Sequence, residues 1–374
     1  MIHIGLCIAF RQLQPYPWTD GGSQSSGLGE RWTQKKPLST MNICVVGAGV
    51  VGLTTALELQ REMRNANVTI LSDRFEQDTC SDVAAGLFRP GTSFSGPTEE
   101  ITRKWISDAY SHWDELRRTE HSARAGVCQM SGYIFSSRDP AIVRNHYIEK
   151  VLPVYRAATE QELTICPGEW KYGSFFTTIL AECRLFQPWA TERFLDNGGR
   201  IVTVALNNLQ ELRGKYDVVV NCTGLGAKRL CNDHKLVPIR GQVIKVRASW
   251  VKTAFYADFD TYVIPGFEGV TLGGCRNFDS YNTDVSRHDS SAIRERCESL
   301  LPSLKGAPVL RESVGLRPHR DPVRVELELL PTANGSVRVV HNYGHGGYGV
   351  TTAPGTAKHA VKLVREALQT NSKL

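Results

Sequence analysis

The stretch Gly47-Ala48-Gly49-Val50-Val51-Gly52 decides the fold of this chain of 374 residues. It directly follows an apolar run at 43–46 and precedes a helix-like stretch at 53–59. A second apolar run, at 68–71, leads to Asp73. This order of strand, glycine turn, helix, strand and acid is the fingerprint of a dinucleotide-binding βαβ unit.

The three glycines of the fingerprint have separate functions. Gly47 suits a tight turn, Gly49 allows a pyrophosphate to approach the backbone, and Gly52 allows close packing of helix on strand. The helix N-terminus offers free N–H donors to phosphates, and Asp73 suits a ribose diol. The alternative is a glycine-rich turn that only packs. The pattern does not say which dinucleotide binds or which reaction follows.

The composition indicates a soluble globular protein with room for two domains. The net charge of +6 comes from scattered basic residues, so we expect no nucleic-acid partner. The ten cysteines form no CxxC pair, which argues against a zinc site, and their places in apolar runs favour a reducing compartment. No run reaches the ~18 apolar residues of a membrane helix, so we expect no membrane partner.

The two ends of the chain differ from the rest. Residues 1–40 are polar and rich in Gly, Ser and Gln after a short apolar start, which predicts a disordered extension or an upstream start that the fold does not need. The chain ends in Ser372-Lys373-Leu374, the address read by the peroxisomal import receptor. We therefore expect a location in the peroxisomal matrix, with an accidental tail as the alternative.

The hydrophobic pattern predicts an α/β fold. The predicted helices lie at 98–116, 188–197, 289–301 and 356–368. The predicted strands lie at 127–135, 174–179, 200–204, 218–222, 237–246, 261–265, 270–274 and 337–342, with those at 200–204 and 218–222 expected to be buried. Parallel strands at the start, middle and end predict a discontinuous Rossmann-type domain (41–100, 186–235 and 310–370). Antiparallel strands in the gaps predict an inserted mixed-sheet substrate domain (101–185 and 236–309).

Two further segments carry chemistry. In Val314-Gly315-Leu316-Arg317-Pro318-His319-Arg320, Pro318 restricts the backbone beside Arg317. A positioned guanidinium binds a carboxylate through two parallel hydrogen bonds, although a surface arginine in a proline-bounded loop is the alternative. In His341-Asn342-Tyr343-Gly344-His345-Gly346-Gly347-Tyr348-Gly349-Val350-Thr351, the glycines predict backbone that lies against a flat ligand. No carboxylate or cysteine completes a metal site with its histidines, so we expect no metal.

From Met41 onward the chain resembles the D-amino-acid oxidase family of flavoproteins. The motifs that carry the resemblance are GAGVVG at 47–52, Ser81-Asp82-Val83-Ala84-Ala85-Gly86, Val220-Asn221-Cys222-Thr223-Gly224, Arg240-Gly241-Gln242, Tyr262-Val263-Ile264-Pro265-Gly266, Thr271-Leu272-Gly273-Gly274, Gly315-Leu316-Arg317-Pro318 and the segment from His341.

The resemblance implies a non-covalent FAD cofactor. By position, the implied FAD-binding residues are Gly47, Gly49, Val50, Val51, Gly52, Asp73, Arg74, Thr79, Cys80, Ser81, Gly86, Leu87, Thr223, Gly346, Tyr348, Gly349, Val350 and Thr351. The fingerprint would lie at the pyrophosphate, Asp73 and Arg74 at the adenosine, and the last glycine-rich turn along the isoalloxazine.

The resemblance also implies a reaction. Arg317 and Tyr262 would hold the substrate carboxylate, and the carbonyl of Gly347 would accept from its amine. The α-hydrogen of a D-amino acid would then face the flavin, and dioxygen would reoxidise the flavin to give hydrogen peroxide. Catalysis would depend on positioning and exclusion of water, while FAD carries the redox step.

The family divides into enzymes for acidic and for neutral D-amino acids. Arg276 matches an arginine of the D-aspartate oxidases, and Phe176-Thr177-Thr178 is similar to that branch. Against this, the stretch before Tyr262 lacks the cation that many of them carry. Arg89 could replace that charge or pair with a nearby carboxylate. We therefore expect oxidation of D-aspartate and D-glutamate, with neutral D-amino acids as the alternative.

Other classes of protein stay open on the sequence alone. An amine oxidase for glycine or N-methyl amino acids would share the cofactor. An NAD-linked dehydrogenase would lack flavin absorbance. A non-catalytic flavin-binding or redox-sensing module would not need Arg317, Tyr262 and Gly347 together.

Overall fold

The computed structural model describes residues 40–369. The predicted N-terminal extension up to residue 39 and the Ser-Lys-Leu tail lie outside the described residues. Within the described part the strands are β1 (Met41–Val46), β2 (Ala66–Ser72), β3 (Val127–Ser136), β4 (Val154–Ala157), β5 (Tyr172–Ala181), β6 (Arg200–Thr203), β7 (Val218–Asn221), β8 (Val237–Val246), β9 (Ala254–Ala257), β10 (Thr261–Pro265), β11 (Val270–Gly273), β12 (Asn277–Phe278), β13 (Val309–Thr332) and β14 (Gly335–His345). The helices are α1 (Val50–Glu62), α2 (Glu99–Arg117), α3 (Cys183–Asp196), α4 (Ala227–Leu230), α5 (Arg287–Leu300) and α6 (Gly349–Gln369).

Five parallel strands form the half of the sheet that contains the glycine fingerprint. Their spatial order is β14-β7-β1-β2-β6. In chain order these strands read 5-4-1-2-3, which is the doubly wound order of dinucleotide-binding folds. Strand β1 lies at the point where the order reverses, and ligands bind outside the carboxyl ends of the strands at such a point. The Rossmann-type prediction is confirmed.

The remaining strands continue the same sheet as a mixed, mostly antiparallel half. Their order is β4-β5-β3-β9-β10-β11-β8-β13, and β12 pairs with β8 off this path. Strand β13 joins the two halves, because its first part pairs with β8 and its last part pairs with β14. This places Arg317 on a strand and not in a surface loop. The domain boundaries themselves stay a prediction.

Two helices begin earlier than the sequence pattern predicts, and each of them contains a proline. Helix α3 starts at Cys183, not at Pro188, because Cys183 and Phe186 are buried and packing outweighs the backbone cost of the proline. Helix α6 starts at Gly349, not at Thr356, and contains Pro354. A side chain at Gly355 would overlap the backbone of Trp105, so a glycine is needed where α6 crosses α2.

One expectation about burial was wrong. Strand β7 is buried as predicted, but β6 exposes Arg200 and Thr203 because it is the edge strand of the sheet. Among residues 40–369, no helix combines the length and the apolar character needed to cross a bilayer.

Candidate active site

A large cavity lies where the carboxyl ends of the parallel strands meet the mixed half of the sheet. Its volume is about 980 Å³. Of the residues predicted for the cofactor and the substrate, only Gly52 is absent from its lining. The predicted residues that line it are Gly47, Gly49, Val50, Val51, Asp73, Arg74, Thr79, Cys80, Ser81, Gly86, Leu87, Arg89, Thr223, Tyr262, Arg276, Arg317, Gly346, Gly347, Tyr348, Gly349, Val350 and Thr351.

The glycine turn at one end of the cavity has the geometry of a phosphate site. Gly47 has φ +106°, and a Cβ there would lie 2.6 Å from the carbonyl oxygen of Cys222. The first α-helical bond of α1 runs from Leu53 N–H to Gly49 O at 2.9 Å, so the preceding amides lie outside the helical ladder. One of these amides, that of Val50, donates to Ser81 Oγ at 3.1 Å.

Gly52 acts through packing and not through the cavity. A Cβ at this position would overlap the carbonyl oxygen of Gly47. Its role is the close contact of helix α1 with the turn, which is the function of the third glycine in such fingerprints.

The segment that follows β2 forms the next part of the wall. The hydroxyl of Ser72 accepts from Ala48 N–H at 3.2 Å and donates to Arg74 O at 2.8 Å, so it ties the glycine turn to the end of β2. Asp73 is exposed on the cavity surface, where its carboxylate suits a ribose diol. Thr79 donates to Gln187 Oε1 at 2.8 Å, which holds its loop against α3.

A second helix N-terminus, that of α6, also lines the cavity. Gly346 has φ +58° and opens a short turn that leads directly into α6, so Gly349, Val350 and Thr351 present the positive end of that helix. Trp113 Nε1 of α2 donates to Thr351 O at 3.3 Å and fixes this end of the helix. The arrangement favours an electron-rich group in front of α6.

Arg317 extends from β13 into the cavity across two glycines. A Cβ at Gly241 would overlap its guanidinium, and a Cβ at Gly347 would lie 3.3 Å from its Cδ. Its Nη1 donates to Cys275 O at 3.3 Å. Within residues 40–369 no carboxylate pairs with Arg317. A guanidinium with an open face of this kind can receive a carboxylate from a ligand.

Tyr262 lies on β10 beside Arg317. Its cross-strand partner is Gly273, where a side chain would overlap the tyrosine ring. Desolvation raises the pKa of Tyr262, and the nearby charge of Arg317 opposes this rise. The phenol therefore stays protonated at neutral pH and can donate a hydrogen bond to a carboxylate.

The two predicted specificity residues have different environments. Arg276 is half exposed and forms an ion pair with Asp260 at 3.0 Å. The guanidinium carbon of Arg89 lies 4.4 Å from the ring centre of Tyr256, and its buried Nε has no hydrogen-bond partner. The alternative for Arg89 was an ion pair with a nearby carboxylate. Within the described residues, no carboxylate pairs with it.

Several neighbours of the site were not assigned a role by the sequence analysis. Gly241 and Gly273 clear the space for Arg317 and Tyr262. These glycines belong to the motifs Arg240-Gly241-Gln242 and Thr271-Leu272-Gly273-Gly274, on which the resemblance rests. The signal in the sequence was therefore a motif that places a glycine where a large polar side chain must fit. The pairing of Asp260 with Arg276 had no such signal, because it joins two loops.

A family model described as DAO, an FAD dependent oxidoreductase, matches residues 42–363. The chain belongs to this family. It is 40% identical to the D-aspartate oxidase of Homo sapiens over 333 residues, which is 88% of this chain and 96% of that protein. It is 33% identical to the D-amino acid oxidase of Dugesia ryukyuensis over 334 residues, 88% of this chain and 98% of that protein.

The fold comparison agrees with the family. The glycine oxidase of Geobacillus kaustophilus superposes with a TM-score of 0.72 at 17% sequence identity, covering 87% of this chain and 95% of that chain. The protein is thus an FAD-dependent oxidoreductase of the DAO family.

The residues of this DAO-family chain fit FAD. The glycine turn, the start of α1 and the loop at Ser81 line the same cavity, where a pyrophosphate would face the positive end of α1. Gly86, with φ +80°, turns the chain where a Cβ would overlap the carbonyl of Ala181, and it lines the cavity together with Leu87. No group of three or more His, Cys, Asp or Glu side chains in residues 40–369 could hold a metal ion.

Proposed function

We propose that this protein oxidises D-amino acids and prefers the acidic ones, D-aspartate and D-glutamate. In the reaction a D-amino acid, dioxygen and water give a 2-oxo acid, ammonia and hydrogen peroxide. The amino acid loses two electrons and two protons to form an imine, which water hydrolyses. Dioxygen takes up the two electrons and two protons and becomes hydrogen peroxide.

The observation that carries the proposal is the open guanidinium of Arg317 beside the protonated phenol of Tyr262. Together they provide charge-assisted hydrogen bonds for an α-carboxylate. Gly347 lines the cavity next to the Arg317 side chain, so its carbonyl is the proposed acceptor for an α-amine. With the carboxylate and the amine held, only one enantiomer directs its α-hydrogen towards the flavin, because the other turns it away.

FAD, when bound, supplies the two-electron acceptor for the hydride. The chain's own residues bind the carboxylate and the amine, exclude water through the cavity wall and orient the α-hydrogen. This division of roles suits the site, because the residues of the chain act by positioning the substrate.

The preference for acidic substrates has separate support. Arg89 and Arg276 line the same cavity as Arg317, and no carboxylate within residues 40–369 pairs with Arg89. A second carboxylate on the substrate would be attracted by this charge. The 40% identical human relative is named D-aspartate oxidase, whereas the planarian relative is named D-amino acid oxidase. Neutral D-amino acids are therefore the second candidate substrates.

Peroxide production by the purified protein with FAD tests the proposal. D-aspartate and D-glutamate should give peroxide faster than D-alanine, and L-aspartate should give none. A faster rate with D-alanine would contradict the acidic preference. Peroxide from glycine or N-methyl amino acids alone, or a yellow protein that produces none, would contradict oxidation of D-amino acids. A colourless protein that uses a nicotinamide cofactor would contradict it too.

We also propose that the protein acts in the peroxisomal matrix. The Ser372-Lys373-Leu374 tail and the peroxide product support this location. A fluorescent fusion at the N-terminus should enter peroxisomes through the import receptor, and the same fusion without 372–374 should remain in the cytosol. Import of the shortened fusion would contradict the proposed address.

A further inference from the structure

Arg89 is a partly buried cation, and no hydrogen bond or ion pair joins its side chain to another residue between 40 and 369. Its Nε is buried and has no hydrogen-bond partner. Its guanidinium stacks on the ring of Tyr256, where a cation–π contact replaces part of the lost hydration. A partly desolvated charge that lacks a hydrogen-bonding partner is unfavourable, so an anionic ligand group is the expected complement.

The backbone on both sides of Arg89 is fixed. The hydroxyl of Thr178 donates to Phe88 O at 2.7 Å, and Asn145 Nδ2 donates to Pro90 O at 2.8 Å. These bonds come from β5 and from the loop before β4, which are separate parts of the fold. Arg89 is therefore presented to the cavity from a rigid frame, as a preorganised binding group requires.

Arg89 and Arg317 each lie near one of two adjacent tyrosines. Arg89 stacks on Tyr256 at 4.4 Å, and the Tyr256 and Tyr262 rings are 5.8 Å apart between centres. Arg317 acts electrostatically on Tyr262. A molecule that places one carboxylate on Arg317 can extend along the tyrosines towards Arg89.

Arg276 is less suited to a second carboxylate. It is half exposed, and Asp260 already neutralises it at 3.0 Å. A substrate carboxylate would have to displace that aspartate, whereas at Arg89 it would have nothing to displace.

We infer that Arg89, and not Arg276, binds the side-chain carboxylate of an acidic D-amino acid. This inference rests on the proposed function and assigns its specificity to one residue. Its chemical target is a dicarboxylate with an α-amine of D configuration.

The test compares Arg89→Gln, Arg89→Lys and Arg276→Gln in the FAD-loaded protein. Arg144→Gln, which alters an exposed arginine paired with Glu149, serves as the matched control. The readout is the ratio of kcat/KM for D-aspartate to kcat/KM for D-alanine. This ratio should fall roughly 30-fold or more in Arg89→Gln, recover in part in Arg89→Lys, and change less than about threefold in the other two variants.

Ligand binding gives a second readout that does not need turnover. Succinate and butanoate differ only in a distal carboxylate, and their dissociation constants follow from the change in flavin absorbance. Arg89→Gln should weaken succinate roughly 30-fold more than butanoate.

The outcomes separate the inference from the function on which it rests. A wild-type protein that prefers D-alanine overturns the acidic preference itself. A wild-type protein that prefers D-aspartate, with the ratio kept in Arg89→Gln or lost only in Arg276→Gln, overturns the assignment to Arg89 alone. Equal weakening of succinate and butanoate would show that Arg89 is only structural.

Discussion

At the scale of single residues, the site depends on what surrounds Arg317. The side chain crosses Gly241 and Gly347 and is held by one hydrogen bond to Cys275 O. Small residues on both sides leave space for the extended guanidinium, and no carboxylate between residues 40 and 369 pairs with it, so it is available to a ligand. Two glycines thus provide the space in which one cation lies.

Replacing Arg317 by leucine should remove the carboxylate contact and leave the flavin bound. The loss of a charge-assisted pair is about 2–5 kcal/mol, or roughly 30- to 5,000-fold in kcat/KM for every D-amino acid. Steady-state peroxide kinetics and the flavin spectrum measure the two effects. Arg311→Leu, on the same strand but paired with Glu268, is the control and should retain activity. Wild-type kinetics in Arg317→Leu would refute the role of Arg317.

Gly241→Ala tests whether the glycine places the arginine. The new methyl group would overlap the guanidinium and displace it, so kcat/KM should fall roughly 10- to 100-fold with flavin content unchanged. Gly226→Ala is the comparison, because its methyl group would lie 3.4 Å from Thr223, an ordinary contact. Equal kinetics in the two variants would argue against steric placement of Arg317.

At the scale of elements, the β1-turn-α1-β2 unit was predicted from the sequence because its signals are local. Apolar runs, three glycines and an acid lie in one continuous stretch. Strand β13 was not predicted, because Pro318 and Pro322 interrupt it and its pairing with β8 and β14 is non-local. In the same way, motif spacing predicted which residues line the cavity but not which of their side chains pair with one another. The pairing of Arg276 with Asp260, and the absence of an ion-pair partner for Arg89 among residues 40–369, depend on loops that meet only in the folded chain.

Gly52→Ala tests the packing of α1 on the glycine turn. The methyl group would overlap Gly47 O and push the helix N-terminus from its place. Overpacking of about 1–3 kcal/mol should weaken FAD binding roughly 5- to 150-fold. Titration of the apoprotein with FAD measures this effect, and far-ultraviolet circular dichroism shows whether the fold persists. A folded variant with wild-type affinity for FAD would refute this role of Gly52.

At the scale of the whole molecule, one sheet contains both the parallel half with the glycine fingerprint and the mixed half. Two buried histidines, His341 and His345, lie on β14, beside the strand β13 that joins the two halves. His345 bonds Thr356 at 2.9 Å, and His341 bonds Glu328 at 2.8 Å. Burial lowers the pKa of His345 to about 3 and that of His341 to about 4. Both residues are therefore neutral in the folded protein across the physiological range.

These lowered pKa values predict a loss of stability in mild acid. The unfolded chain takes up protons on both histidines below about pH 6.5, while the folded protein does not. The two neutral histidines therefore contribute their full share to the free energy of unfolding above that pH. This contribution declines as the pH falls, by about 2 kcal/mol for each histidine between pH 7.5 and 5.0. Urea unfolding of the FAD-loaded protein at the two pH values measures the change, and His341→Gln should reduce it. Equal free energies of unfolding at both pH values would contradict the prediction.

The most direct measurement is a crystal structure of the FAD-loaded protein with succinate, which is aspartate without its amine. We expect one carboxylate at hydrogen-bonding distance from Arg317 and Tyr262, and the other at the guanidinium of Arg89. A structure in which Arg317 points into bulk solvent while succinate binds elsewhere would contradict the account of this site.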